Sequence, residues 1–312
     1  MTTIPYRFFV GFSLAALLSM VSGCSSQGGG DNHSALTLGQ ARVGFSSHLV
    51  QDLSTHDPVP DPPSDLFRLV RYPDPLGSFP AYISLPQRAG VKYPAIIWIA
   101  GGFDNGIGDT PWAPATPDND QSASAFREAG IITMYPSFRG GSNNPGRPEG
   151  FLGEVTDVMA AANYLAKQPE VDPQRIYLGG HSTGGTLALL TAECSTQFRA
   201  VFSCGPVSDP ANYGADSLPF DVNDPKEVEL RSPVLWLHSI KSPTWVIEGT
   251  GQGNIDELHV LQHASENPRI HFAEVSGADH FSELARTTPV IAKKINRDTG
   301  PTSNITLTSD EL

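Results

Sequence analysis

A serine lies between two glycines in the pentapeptide Gly180-His-Ser-Thr-Gly184. The apolar run 175–179 precedes the pentapeptide, and the helix-prone run 185–193 follows it. Flanking side chains would clash in a sharp turn from a strand into a helix, so glycines on both sides of the serine favour such a turn. A serine at that turn is exposed and can attack a substrate carbonyl, which makes Ser182 the candidate nucleophile.

The segments around this turn alternate between strand-like and helix-like patterns. We predict strands at residues 67–72, 80–85, 93–100, 131–135, 175–179, 199–203, 244–248 and 270–275, and helices at 122–129, 154–168, 185–193, 255–264 and 283–294. Such alternation implies right-handed crossovers and an α/β fold, a mostly parallel sheet with helices on both faces. A small insertion at residues 205–241 follows the strand after the nucleophile helix, and we expect it to be helical over 225–240.

Acidic residues outnumber basic ones, and the 312-residue chain has a formal charge of −13. An acidic chain without a basic run argues against nucleic acid as a partner and against electrostatic docking on anionic lipid. Cys194 and Cys204 are compatible with a disulfide or with two buried thiols. His259 and His263 share a predicted helix face but have no third ligand nearby, so we predict neither a metal site nor a cofactor.

The N-terminal residues have the pattern of a targeting segment. One cation, Arg7, precedes the apolar stretch 8–21, which is short for a membrane span. The sequence Val21-Ser-Gly-Cys24 then resembles a bacterial lipobox. This resemblance implies a lipoprotein signal peptide at residues 1–24 and a lipid anchor at Cys24. Ser25, in place of aspartate, further implies the outer membrane of the bacterial cell envelope, facing the periplasm.

Several motifs of the remaining chain resemble those of one enzyme superfamily. They are Ala100-Gly-Gly-Phe103, Tyr135-Pro-Ser-Phe-Arg-Gly-Gly141, Gly153-Glu-Val-Thr-Asp157, Val171-Asp-Pro-Gln-Arg-Ile176, Gly180-His-Ser-Thr-Gly-Gly185 and Gly277-Ala-Asp-His280. With the order of elements, they resemble the α/β-hydrolases, and most of all the catalytic domain of prolyl-oligopeptidase-type serine peptidases and their esterase relatives. The resemblance extends from Phe67 to Ile295 and includes no β-propeller.

Three segments follow the signal peptide on this interpretation. Residues 25–62 form a tether and an extended lead-in, residues 63–298 form the hydrolase domain, and residues 299–312 form a loose polar tail. The resemblance implies a serine hydrolase that cleaves an ester or peptide bond through an acyl-enzyme on Ser182.

The resemblance also implies a general base and an acid, in the chain order nucleophile, acid, histidine. Among the histidines near or after Ser182, His280 is the one in a loop that follows the last predicted strand, so we expect it to be the base. His181 lies inside the turn and is expected to pack.

The sequence departs from the family pattern at the acid, which that pattern places as an aspartate three residues after a glycine that follows a strand. Here Gln252 stands three residues after Gly249. We expect Glu248, at the strand end, to take the role of the acid. Asp256 and Asp209 are the alternatives, although Asp256 is also suited to cap a helix.

An oxyanion hole needs two N–H donors directed at the developing charge. We expect one from Thr183, at the start of the nucleophile helix, and the other from Gly102 or Phe103, after the strand 93–100. Arg139 is expected to pair with Glu154 or Asp157, with a role as a clamp for a substrate carboxylate as the alternative.

Three aromatic residues, Trp112, Tyr213 and Phe220, are candidates for a substrate pocket. The expected substrate is a small ester or a short peptide, and we expect the insertion 205–241 to select between them.

Two other functions compete with hydrolysis. Gly249-Thr-Gly-Gln-Gly253 after a strand, with Glu274 ending the next, resembles a dinucleotide fingerprint, but its third glycine is misplaced. The chain could also be a non-catalytic envelope binding lipoprotein on a degenerate hydrolase fold.

Overall fold

Runs of β-branched and aromatic residues form one eight-stranded sheet in the computed structural model, which describes residues 36–312. The strands are β1 (Phe67–Asp74), β2 (Gly77–Ser84), β3 (Tyr93–Ile99), β4 (Ile132–Pro136), β5 (Val171–His181), β6 (Val201–Cys204), β7 (Thr244–Gly249) and β8 (Ile270–Val275). Their order is β1-β2-β4-β3-β5-β6-β7-β8. β2 is antiparallel to both β1 and β4, and the other neighbours are parallel. The predicted mostly parallel α/β fold is therefore confirmed.

Helices cover both faces of the sheet. They are α1 (Leu38–Ala41), α2 (Ser124–Glu128), α3 (Glu154–Leu165), α4 (Thr183–Cys194), α5 (Pro225–Glu229), α6 (Ile255–Ala264) and α7 (Glu283–Arg297). One hydrophobic core includes Val158 of α3 and Leu189 of α4. The core on the other side includes Phe126 of α2 and Ile291 of α7. Residues 183–193 of α4 are all buried, as expected for a helix that is apolar on every side.

The insertion contains less helix than the sequence predicts. Only Pro225–Glu229 forms an α-helix, and two short 3-10 turns follow at Pro233–Leu235 and Leu237–Ser239. Pro233 has no N–H group and its ring clashes with the preceding turn, which disfavours a continuous helix over 225–240.

The described part of the lead-in is extended but lies against the domain. The Val50 N–H group donates to Pro219 O at 2.7 Å, and the Thr55 N–H group donates to Gly140 O at 2.8 Å. The signal peptide, the anchor at Cys24 and the tether up to residue 35 lie outside the described residues.

The C-terminal residues 299–312 also pack on the domain, so the expectation of a loose tail is wrong. Ile305 and Leu307 are buried. Arg199 donates to the carbonyl oxygens of Gly300 and Thr302 at 2.7 Å each. None of the helices within residues 36–312 has both the length and the apolar character needed to cross a membrane.

Candidate active site

Ser182 lies at the turn from β5 into α4. Its backbone has φ 56° and ψ −118°, a conformation that residues with a side chain rarely adopt. A Cβ atom on Gly180 would lie 2.4 Å from the carbonyl oxygen of Gly184, and one on Gly184 would lie 2.2 Å from that of Ile99. Both glycines are therefore needed for the turn to pack against β3, as the pentapeptide predicted.

His280 lies in the loop after β8, where its imidazole contacts the carboxylate of Glu248. His280 Nδ1 and Glu248 Oε2 are 2.9 Å apart. Glu248 is fully buried, and His280 is 9% exposed. A carboxylate only accepts hydrogen bonds, so Nδ1 carries the hydrogen and Nε2 is free to take a proton.

Backbone donors hold the Glu248 carboxylate in this orientation. The Gly249 N–H group donates to Oε1 at 2.9 Å, and the Asn254 N–H group donates to Oε2 at 3.2 Å. The Asn254 side chain in turn donates to Gly205 O at 2.8 Å, which connects the end of β7 to the end of β6.

The two other acids considered from the sequence do not contact His280. The Asp209 carboxylate accepts the Ala211 N–H group at 2.8 Å and caps a 3-10 turn. Asp256 is exposed in the first turn of α6. Gln252 supports His280 through its backbone, because its carbonyl oxygen accepts the His280 N–H group at 3.0 Å.

Ser182 and His280 both pack against the end of β6. The Ser182 N–H group donates to Cys204 O at 2.8 Å. A Cβ atom on the next residue, Gly205, would lie 2.5 Å from His280 Cε1. Within residues 36–312 the Ser182 hydroxyl forms no hydrogen bond with His280, and catalytic hydrogen bonds of this kind often tighten only when substrate binds.

His181 has the packing role that the sequence predicts. It is fully buried, with Nε2 at 2.7 Å from His280 O and Nδ1 at 2.7 Å from Gln121 Nε2. Because a carbonyl oxygen can only accept, Nε2 donates and Nδ1 accepts. Burial, with a smaller contribution from His280, lowers the pKa of His181 to about 3, so the ring is neutral.

The expected oxyanion donors lie together beside Ser182. Within residues 36–312, the backbone N–H groups of Thr183, Gly102 and Phe103 form no hydrogen bond and remain free for a substrate. The Thr183 hydroxyl donates to Gly102 O and so ties the loop after β3 to the first residue of α4. Gly102 has φ 111°, which favours glycine at this position.

A cleft opens beside these donors. Its apolar lining residues are Leu53, Ile99, Ala100, Phe103, Phe138, Pro148, Phe151, Leu187, Leu218 and Pro219. Gly102, Thr183 and Gly184 also line it, which connects the cleft directly to the candidate oxyanion hole.

Residues 117–264 match the model of the prolyl oligopeptidase family, peptidase S9. This part of the chain is therefore similar to the prolyl oligopeptidase family. The matched range includes Ser182 and Glu248 and ends before His280. A relative, the uncharacterized peptidase YtmA of Bacillus subtilis strain 168, is 29% identical over 149 residues. That alignment covers 43% of this chain and 57% of the relative, so this chain spans little more than half of its length.

Solved structures with the same fold include hydrolases of several kinds. A puromycin hydrolase aligns with a TM-score of 0.61 at 17% identity, over 74% of this chain and 39% of its own. The acylaminoacyl peptidase of Pyrococcus horikoshii aligns with a TM-score of 0.56 at 16% identity, over 78% of this chain and 43% of its own. An esterase of Pyrobaculum calidifontis aligns with a TM-score of 0.54 at 17% identity, over 76% of this chain and 87% of its own. These similarities confirm the α/β-hydrolase fold, and the family match supports a serine hydrolase.

Arg139 forms ion pairs that stabilise the fold. Arg139 Nη2 lies 2.6 Å from Asp157 Oδ1, and Arg139 Nη1 lies 2.6 Å from Glu149 Oε1. Glu154 instead accepts Asn105 Nδ2 at 3.1 Å and the Glu149 N–H group at 2.7 Å. The expected pairing with Asp157 is therefore present, and the pairing with Glu154 is replaced by Glu149. The Arg139 side chain is 9% exposed, which does not suit a substrate clamp.

Of the three candidate pocket aromatics, only Tyr213 lies at the site. Its ring is 5.3 Å from that of Phe103, and its hydroxyl is 2.8 Å from Thr186 Oγ1. Burial raises the pKa of Tyr213, while hydrogen bonding to Thr186 and Ser182 opposes the shift. Its hydroxyl is therefore protonated and lies beside the nucleophile.

The other two aromatics pack elsewhere. The Trp112 ring is 4.8 Å from that of Tyr82, and Phe220 is buried beneath Arg231.

The glycines after β7 are explained by packing against the histidine loop. A Cβ atom on Gly249 would lie 2.6 Å from Ala278 O, and one on Gly253 would lie 2.5 Å from His280 Cβ. Close packing against the candidate base therefore accounts for the segment that resembled a dinucleotide fingerprint.

The two cysteines in the described part of the chain, Cys194 and Cys204, are free thiols. No cluster of metal-binding side chains is found among residues 36–312. His259 contacts Glu274 at 2.9 Å.

Two supporting residues have no signal in the sequence. Gln121 accepts the Gly101 N–H group at 3.0 Å while donating to His181, and so joins the oxyanion loop to the elbow. Leu53, from the lead-in, lines the cleft. Both residues lie in irregular segments, so no periodic pattern or motif in the sequence indicates that they belong to the site.

Proposed function

We propose that the chain hydrolyses an ester or peptide bond through an acyl-enzyme on Ser182, with His280 as general base and Glu248 as the acid that orients it. The observation that carries the proposal is the buried contact of 2.9 Å between Glu248, at the end of β7, and His280, in the loop after β8. A histidine fixed through Nδ1 beside a serine that substrate can reach is the arrangement that serine hydrolysis requires, and Ser182 is half-buried.

The steps follow from the positions of these groups. His280 Nε2 takes the proton from Ser182 Oγ as the oxygen attacks the substrate carbonyl, and returns it to the leaving group as the carbonyl carbon–leaving group bond breaks. Water then attacks the acyl-enzyme with the same base and frees Ser182. Glu248 stays ionised and stabilises the imidazolium that forms in each step.

The negative charge that develops on the carbonyl oxygen needs preorganised donors. Thr183 N–H, with Gly102 N–H or Phe103 N–H, is assigned this role, and Thr183 also lies at the positive end of the α4 dipole. Loss of one such donor typically lowers kcat about 10²- to 10³-fold.

Labelling with a fluorophosphonate probe tests the nucleophile. We expect the wild type to be labelled and Ser182→Ala to be unlabelled and inactive. Ser276→Ala, at an exposed serine, is the control and should be labelled like the wild type. Well-folded wild-type protein that takes up no probe would contradict hydrolysis and support the non-catalytic alternative.

The proposed substrates are small esters or short peptides. Ester and amide hydrolysis use the same groups, so a panel of nitrophenyl esters compared with aminoacyl nitroanilides, at equal enzyme concentration, separates them. Activity confined to the esters would assign an esterase, and efficient nitroanilide cleavage a peptidase.

We also propose that the chain is attached to the bacterial envelope by lipid on Cys24, in the outer membrane and facing the periplasm. The lipobox-like sequence Val21-Ser-Gly-Cys24 supports this. Expression of the full chain followed by membrane fractionation tests it. Cys24→Ala should move the protein from the membrane fraction to the soluble fraction or leave it unprocessed, whereas unchanged membrane attachment would contradict the proposal.

A further inference from the structure

The lead-in contributes a wall to the cleft beside the candidate oxyanion hole. Leu53 lines this cleft together with Leu187 and Leu218, and the same cleft is lined by Thr183 and Gly102. A substrate carbonyl polarised by those two N–H groups would therefore have one of its substituents in the cleft that Leu53 lines.

The position of the cleft indicates which substituent enters it. Its lining residues, all within residues 36–312, include none from the Glu248 loop or the His280 loop. The leaving group must lie near His280 Nε2 to receive its proton, so it occupies the His280 side. The acyl group lies on the opposite side of the carbonyl, which is the side of this cleft.

The size of the cleft limits the acyl group. Its cavity is about 50 Å³. A cavity needs about 10–15 Å³ to hold one water molecule, so this one has room for about three to five non-hydrogen atoms.

The chemistry of the walls favours an uncharged apolar group. Asp104 Oδ1 already accepts the Thr55 hydroxyl at 2.7 Å and the Gly106 N–H group at 2.7 Å. Glu154 Oε1 already accepts two N–H donors. Asp104 is thus engaged in the fold, whereas Glu154 Oε2 is buried and has no hydrogen-bond partner within residues 36–312. The charge of both side chains opposes an anionic acyl group.

Several hydrogen bonds hold the Leu53 segment in place. Before it, Gln51 Nε2 donates to Leu218 O at 2.5 Å and Val50 N donates to Pro219 O at 2.7 Å. After it, Thr55 joins the oxyanion loop through Asp104. The wall is therefore attached both to the insertion and to the loop that holds the oxyanion donors.

We propose that Leu53, held by the hydrogen bonds of its segment, forms part of one wall of the acyl pocket and restricts the enzyme to short, uncharged acyl groups of about three to five carbon atoms. This inference rests on the proposed function and names its substrate class.

A series of p-nitrophenyl esters from acetate to dodecanoate tests it, since the leaving group is constant. We expect wild-type kcat/KM to be highest near butyrate and to fall at least about tenfold for octanoate, because a methylene that does not fit costs about tenfold or more. Leu53→Ala should raise the octanoate-to-butyrate ratio about tenfold. Leu53→Trp should lower the butyrate-to-acetate ratio by a similar factor.

Two controls separate this inference from the proposed function. Val50→Ala removes an exposed apolar side chain from the same segment and should leave the chain-length profile unchanged. A second series with a constant acetyl group and varied leaving groups should be unaffected by Leu53→Ala. Probe-labelled Leu53 variants with the wild-type chain-length profile, or a wild type equally active on dodecanoate, would overturn the inference alone. A wild type with neither probe labelling nor esterase activity would instead overturn the proposed function.

Discussion

Glu248 contacts His280 from the end of strand β7 rather than from the loop after the strand. The position three residues after Gly249, where the sequence resemblance implied an aspartate, holds the exposed Gln252. A glutamate side chain is one methylene longer than aspartate, and Glu248 uses this length from within the strand. The Gly249 and Asn254 N–H groups fix its carboxylate there.

Glu248→Gln tests this assignment. The amide has the size of the carboxylate but carries no charge to stabilise the imidazolium and can favour the wrong histidine tautomer, so we expect kcat to fall about 10³- to 10⁴-fold. KM should change little. Steady-state kinetics on a short-chain ester provides the measurement.

The matched controls are the two other carboxylates considered from the sequence. Asp209→Asn and Asp256→Asn should retain near wild-type kcat, because neither side chain contacts His280. A collapse of kcat in either variant with near-normal turnover in Glu248→Gln would show that the acid lies elsewhere.

At the scale of elements, the site depends on the close approach of strand ends and loops. The ends of β6 and β7 approach the loop after β8 so closely that Gly205 and Gly253 have no room for a methyl group against His280. These glycines set the distance between the base and the elbow.

Gly205→Ala should therefore lower activity through His280. Its added Cβ would lie 2.5 Å from His280 Cε1, and the imidazole would have to move. We expect kcat to fall at least about 10²-fold, since small displacements of a catalytic group have effects of this size. The measurement is kcat, together with a melting temperature.

Gly214→Ala is the control for backbone strain. Gly214 also has positive φ, 87° against 62° for Gly205, but a Cβ atom there would meet no atom within 4 Å. Both variants should lose about 1–3 kcal/mol of stability through backbone strain, Gly205→Ala the more because of its contact with His280, and only Gly205→Ala should lose activity. Equal activities for the two would contradict the steric role of Gly205.

At the scale of the whole molecule, buried ionisable groups connect the fold to pH. His181 is buried, and its pKa is lowered to about 3 from 6.5, chiefly by burial. The native state therefore excludes a proton that the unfolded state binds between these values. The stability from a neutral His181 is present above pH 6.5 and is lost as the pH falls below that value. Burial raises the pKa of Glu193 and Glu283, which acts in the opposite direction: their contribution is lost as the pH rises.

The free energy of unfolding should therefore depend on His181 at acid pH. Between pH 6.5 and 4, we expect His181→Gln to reduce the pH dependence by up to about 1.4 kcal/mol per pH unit relative to wild type. Chemical denaturation at a series of pH values measures the slope. His263→Gln, at an exposed helix position, controls for loss of an imidazole. Identical slopes for wild type and His181→Gln would contradict a neutral, buried His181.

Local patterns in the sequence determine much of this molecule. The glycines around Ser182 predict the elbow because a tight turn excludes side chains, and the apolar runs predict the strands because a sheet covered on both faces is apolar along its length. The motif resemblance also predicts His280 as the base, and His280 lies in the expected loop after β8.

Other features were decided only by the tertiary structure. Glu248, Asp256 and Asp209 were all possible acids in the sequence, because the contact with His280 joins segments 32 residues apart. No periodic pattern in the sequence predicts that the lead-in and the C-terminal tail pack on the domain. Both segments contact the domain through backbone groups and through single side chains such as Leu53 and Ile305. Local patterns record which faces are buried and which turns are tight, whereas the distance between remote side chains depends on how the elements pack.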